Sequence, residues 1–251
     1  MRKLKYQVGM IIKSKFYGDV EIIEYENCHN ITVRFLNTGY VKIFKSSHLD
    51  CGLIKDNSVP SVMGVGIVGD KYKASLNGKL LQEYDVWTSM LTRCYGENWK
   101  SRNPTYKDCV ASENFKRYEY FYEWCQKQVG FSCKGFELDK DLLVKGNKTY
   151  CEDLCVFLPK QINNALVGRG SKCKDRPIGV RFIPNKNMFV AQLSMYGKKK
   201  TLGYYATEAL AFLAYKVAKE TYIKELAEKW KDQIDNRAHK ALINYEVGID
   251  D

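Results

Sequence analysis

Asp139, Lys140 and Asp141 stand side by side in the stretch FELDKDLLVKGNKTYCEDLC. Carboxylates two residues apart on a strand share a face, so Asp139 and Asp141 would both reach one divalent cation. Asp153, or Glu152 beside it, would supply a further carboxylate. A Mg²⁺ held there would polarise a phosphate and activate water for phosphodiester hydrolysis. That reaction also needs a proton acceptor with a pKa near neutrality. Lys140 is charged at pH 7 and accepts no proton unless its pKa is strongly depressed. No histidine lies between His48 and His239 to replace it.

Other reactive residue types do not converge. Nine cysteines are widely spread, and only Cys151 and Cys155 are close together. Structural zinc usually takes two close pairs, so zinc is not expected. Cys–His chemistry lacks its histidine, and His29 and His48 read as turn or surface residues. Gly64, Gly66 and Gly69 give the spacing G-x-G-x-x-G. A dinucleotide site needs a helix to open directly after it, whereas GDKYKASLNGK reads as a hairpin.

The strongest charge signal is C-terminal. Between Lys160 and Tyr205 there are ten Lys or Arg and one acid, Asp175. The formal charge of the whole chain is +11. A one-signed cluster of this kind fits a polyanion. Arg181 suits bidentate contact with guanine, while Lys186, Lys198, Lys199 and Lys200 suit phosphates and imply steep salt dependence. Arg176, Gln192 and Tyr204 complete the expected DNA-binding set. Arg93, Arg102 and Arg117 are further residues able to reach phosphates.

The elements that must position these residues predict an α+β protein. Residues 1–57 alternate in short Val-, Ile-, Phe- and Tyr-rich runs, read as five strands of a small β-barrel-like module, weakly similar to Src-homology and Tudor barrels. Residues 58–83 read as a linker and hairpin. In 84–168, helices around YDVWTSMLTRCY and NFKRYEYFYEWCQKQV flank an expected loop, GENWKSRNPTYKDC. Their aromatic stripe (Phe115, Tyr118, Phe121, Tyr122, Trp124) reads as core. Residues 169–245 read as three strands and a helix running to about Ile234, capped by Thr207, with Leu210, Leu213, Ala214, Val217 and Ala218 as its buried face. No run of 18 apolar residues spans a membrane, and unpaired cysteines without a secretion signal point to a cytoplasmic protein, in the host cell if phage-encoded.

Two resemblances sharpen this reading. The stretch 136–164, with Trp87 to Tyr95 and Pro104 to Cys109, resembles the core of phage-type HNH homing endonucleases, a β-hairpin and helix around one metal. The resemblance places Asp139, Lys140 and Asn147 at catalytic positions, with Lys140 where the family has its general-base histidine. It implies Asp139, Asp141 and Asp153 as ligands of Mg²⁺. Gly179-Val180-Arg181, Phe189-Val190-Ala191, Leu202 to Thr207 and Ala214-Tyr215 resemble the Apetala/ethylene-response DNA-binding domain, whose sheet lies in the major groove. Ser194 and Thr201 depart from its pattern, where Arg and Trp are usual. The expectation is a double-stranded DNA-binding protein, with nicking dependent on what replaces the missing histidine. The alternative is a non-enzymatic phage protein that docks through its N-terminal module on a host protein or nucleoprotein complex, such as an inhibitor of a host defence system.

Overall fold

The computed structural model describes residues 5–167 and 176–249. Arg169, Lys172, Cys173, Lys174 and Asp175 of the basic run lie outside the described residues. The architecture is α+β, built as several small sheets with helices packed against them.

The first strands are β1 (Ile11–Ser14), β2 (Gly18–Asn27), β3 (Asn30–Phe35) and β4 (Val41–Phe44), an antiparallel meander in that order. Val20, Ile22, Ile31, Val33, Phe35 and Phe44 form its buried face, closed by Leu49 and Ile54. The expected fifth strand and barrel-like closure are absent among the described residues of this segment. Ser46–Asp50 is instead a helical turn, α1, whose one buried residue is Leu49. A run of Ser, Ser, His, Leu and Asp offers no alternating β-branched face to extend the sheet. The four-residue strands β1 and β4 therefore stay edges.

Residues 58–83 pack closely. Val62, Val65, Val68 and Tyr72 join a second core, and Ile67 bridges to Arg117. A Cβ on Gly66 would lie 2.5 Å from Leu91 Cδ1, and one on Gly69 would lie 2.3 Å from the Glu119 carboxyl. Close packing thus accounts for these glycines, and no phosphate loop is needed. The expected hairpin follows as β5 (Ser75–Leu76) and β6 (Lys79–Leu80), turning through Asn77 and Gly78 at positive φ.

The second core is largely aromatic. Helix α2 (Gln82–Tyr95) buries Trp87, Met90, Leu91 and Cys94. The expected loop after it contains helix α3 (Glu97–Arg102) and a 3₁₀ turn, Pro104–Tyr106. Glu97 in the first turn of α3 and Lys100 and Arg102 in the last suit the helix dipole, but no residue of α3 is buried. It therefore carries no apolar period. Strand β7 (Val110–Ala111) and helix α4 (Tyr118–Gln126) follow, and Phe115, Tyr118, Phe121 and Trp124 are buried as expected. Strands β8 (Phe136–Asp139) and β10 (Val156–Pro159) pair antiparallel, β9 (Thr149–Tyr150) pairs parallel with β7, and helix α5 is Lys160–Leu166.

The C-terminal sheet is β11 (Val180–Ile183), β12 (Met188–Met195) and β13 (Lys198–Tyr205), an antiparallel set covered by helix α6 (Glu208–Trp230). The Thr207 hydroxyl caps α6 by accepting from Leu210 N. The buried face of α6 differs from the expected one. Leu210, Leu213 and Val217 are exposed, whereas Ala211, Tyr215, Tyr222, Ile223, Leu226 and Ala227 are buried. The reason is steric. Gly179, at φ +75°, sits so close over Tyr215 that a Cβ would lie 2.0 Å from the ring. The Tyr215 ring and small Ala211 turn toward the sheet, and the branched residues turn out. A further helix, α7 (Asn236–Ile243), is capped by Asp235 and buries Ala238 and Leu242. Strand β10 joins the two large cores: Phe157, with Cys155 just before the strand, lies in the aromatic one, Val156 and Leu158 in the one beneath α6.

Candidate functional site

Strand β8 ends at Asp139, so Asp139 and Asp141 do not share a strand face as expected. The chain turns there: Asp139 Oδ1 accepts from the backbone N–H groups of Asp141 (3.1 Å) and Leu142 (2.8 Å). This is an Asx-type turn, in which a side-chain oxygen replaces a backbone acceptor. Burial, followed by the nearby Asp141 charge, pushes the Asp139 carboxyl up to about 6.

Lys140 is one of the few charged residues buried here. Its Nζ donates to Asp141 Oδ2 and to the Asn147 carbonyl, both at 3.1 Å. The ammonium also lies 5.7 Å from the Tyr106 ring centre and 5.8 Å from that of Tyr150, within cation–π range. Burial, the largest influence, lowers the ammonium's pKa, but Asp141 and its other neighbours offset this and leave it above the ordinary lysine value. Lys140 is thus a buried cation held by neighbouring acceptors and aromatic faces.

Asn147 is a brace. Its Nδ2 donates to the carbonyls of Lys140 (2.6 Å) and Thr149 (2.7 Å), and its Oδ1 accepts from Thr149 N (3.0 Å). With every polar atom of its amide bonded to backbone, it faces no open reaction position. Glu152 is turned elsewhere, accepting from Ser112 Oγ and Asn114 Nδ2. Asp153 lies in the turn after β9, where its carbonyl accepts from Arg237. Among the described residues no three His, Cys, Asp or Glu side chains come together as a metal group. The expected triad of Asp139, Asp141 and Asp153 is therefore not assembled among the described residues. One oxygen of Asp139 is engaged by two amides and one oxygen of Asp141 by an ammonium.

Asp139, Lys140, Asp141, Tyr106 and Tyr150 line a cleft of about 570 Å³ that Arg93, Glu137, Lys148 and Asn163 also border. Arg93 comes from α2 and hydrogen-bonds Tyr150. Asn163, on α5, donates to Glu137 Oε2 at 3.2 Å and leaves its own buried Oδ1 without a partner among the described residues. Tyr106 and Tyr150 were not legible as site residues, because aromatic types in a Tyr-rich chain carry no distinguishing spacing.

The C-terminal sheet sorts the predicted DNA-binding residues by face. Directly opposed residues of an antiparallel pair point the same way. Arg181, Val190 and Tyr204 form one row across the three strands, Gln192 opposes Thr201, and Ser194 opposes Lys199. Ala191, Leu193 and Met195 alternate with them and pack on the α6 side. The outer face therefore carries Arg181, Gln192, Lys199 and Tyr204. Lys186 reaches it from the β11–β12 turn, its Nζ 4.3 Å from the Tyr204 ring centre. Gln192 Nε2 donates to Thr201 Oγ1 at 3.2 Å. Lys198 and Lys200 oppose Met195 and Leu193, so they leave the sheet on the other side. The three consecutive lysines do not act as one patch.

Arg176 stacks on aromatic rings at the sheet, its guanidinium 5.2 Å from Phe182 and 5.7 Å from Phe189. Its buried Nη1 has no hydrogen-bond partner among the described residues. With Arg181, Gln192 and Lys199 it lines a hollow of about 260 Å³. A second hollow, bordered by Asn164, Ser194, Tyr196 and Tyr222, adjoins the cleft at Asn164.

No family model matches the chain, and no curated protein or solved structure is similar to it. No helix among the described residues is long and apolar enough to cross a membrane.

Proposed function

We propose that the chain binds double-stranded DNA through the outer face of β11–β13. The observation that carries this reading is the placement of Arg181, Lys186, Gln192, Lys199 and Tyr204 on one sheet face. No acidic residue occurs from Arg176 to Tyr205. Two- and three-stranded sheets fit the major groove, where Arg reads guanine and Gln reads adenine. The Arg176 Nη1, without a hydrogen-bond partner among the described residues, is a donor that a phosphate or base oxygen would satisfy. The resemblance to the Apetala type of domain agrees with it.

Nicking does not follow from the same geometry. Lys140 is held as a cation, and no third ligand joins Asp139 and Asp141 as a metal group among the described residues. The reading is therefore of DNA binding without metal-dependent cleavage, and the cleft serves as a flank of the bound duplex. Supercoiled plasmid incubated with the protein and Mg²⁺ or Mn²⁺ is expected to stay intact while its mobility shifts on binding. Nicked product that disappears in Asp139→Ala would overturn the non-cutting part alone.

The N-terminal sheet supports one rival. Its register aligns Ile11, Glu21, Arg34 and Val41 in a row, with Ile43 beside them, and all three aliphatics are exposed. This is a face suited to another protein. Absence of DNA binding at low salt, together with a partner lost on Ile43→Asp, would favour that role.

A further inference from the structure

The loop from Asp139 to Thr149 is organised around one atom, the Lys140 Nζ. The Lys140 side chain is 7% exposed, so its charge is withdrawn from water. A buried ammonium is costly unless its charge is matched. It is matched by the Asp141 carboxylate, the Asn147 carbonyl and the π faces of Tyr106 and Tyr150. The residues that hold it are themselves tied to it. Asn147 clasps the Lys140 carbonyl and Thr149, while Asp139 fixes the turn that presents Asp141.

We infer that the Lys140 ammonium takes the position that a divalent cation would need, so that the loop is assembled around a cation built into the chain and the cleft binds no metal. One fact carries this. A metal bridging Asp139 and Asp141 would sit beside an ammonium 3.1 Å from Asp141 Oδ2, against like-charge repulsion. The arrangement is independent of whether the sheet binds DNA, since every contact invoked lies within the loop and its aromatic walls.

Thermal melting tests it on the intact chain. A bound ion stabilises the folded state by mass action, so an occupied site raises the melting temperature with ion concentration. For the wild type, Mg²⁺ or Mn²⁺ at about 5 mM is expected to change the melting temperature by less than ~1 °C relative to EDTA. A rise of several degrees that Asp141→Asn abolishes would overturn the inference. Lys140→Met keeps the chain length and removes the charge. It is expected to melt about 5–10 °C lower, because Asp141 and the Asn147 carbonyl lose their partner. A Lys140→Met protein melting within ~1 °C of the wild type would equally overturn it. If Lys140→Met does not fold, the metal series on the wild type decides alone.

Discussion

At the scale of single residues, the largest departure from expectation is the Asp139–Lys140–Asp141 run. Its residue types were legible as chemistry, and the missing histidine was legible as a defect in that chemistry. The use made of Lys140 was not, because Tyr106 comes from a separate segment and Asn147 and Tyr150 reach it only once the loop after β8 folds back. Asp139 gives a testable pH dependence. Its folded pKa, about 6, is above the ordinary carboxylate value, so the folded state binds the proton more tightly than the unfolded chain. The sign follows: Asp139 opposes folding at neutral pH, and that penalty disappears as pH falls through 6 toward 4. Asp139→Asn keeps the oxygen that accepts from Asp141 N and Leu142 N and removes the charge. The variant should be more stable than the wild type by roughly 1–2 kcal/mol at pH 7.5 and equal to it at pH ~3, below both pKa values. Urea melts at the two pH values measure this.

At the scale of elements, patterns that touch a core were readable and those that touch only solvent were not. Strands β11–β13 and the start of α6 follow from alternation and a Thr cap. Helix α3 was hidden because it buries nothing, and α1 was hidden because one Leu is too little signal. For α6 the helix was legible but its rotation was not, since two apolar stripes compete and the choice depends on Gly179 lying over Tyr215. The structure makes these stripes unequal. Leu213→Ser should change stability by less than about 0.5 kcal/mol, whereas Ile223→Ala should cost about 2–4 kcal/mol. Chemical denaturation of the two variants separates them, and equal losses would place Leu213 in the core.

At the scale of the whole molecule, the three modules expected from the chain are joined more tightly than composition suggests. Val62, Val65, Val68 and Tyr72 of the stretch 58–83 belong to the aromatic core. Strand β10 contributes side chains to two cores at once, and Val156, Leu158 and Ile162 are buried against residues of α6 and α7. A chain truncated after residue 167 would bare these apolar side chains to water, at roughly 25 cal/mol per Å² exposed. It should therefore be aggregation-prone or show broadened, poorly dispersed amide resonances. A truncated chain with native-like spectra would show that the boundary near residue 168 separates independent domains.

The sheet face is where these scales meet, and duplex binding by fluorescence anisotropy at two salt concentrations tests it most directly. The wild type should bind with an affinity that falls steeply with salt. Arg181→Ala should weaken binding about 10- to 100-fold, and Lys199→Ala should reduce the salt slope by about one. Lys198→Ala and Lys200→Ala, on the opposite side, should change affinity by less than about 2-fold. Equal losses from all three lysines, or no binding by the wild type at low salt, would contradict the account.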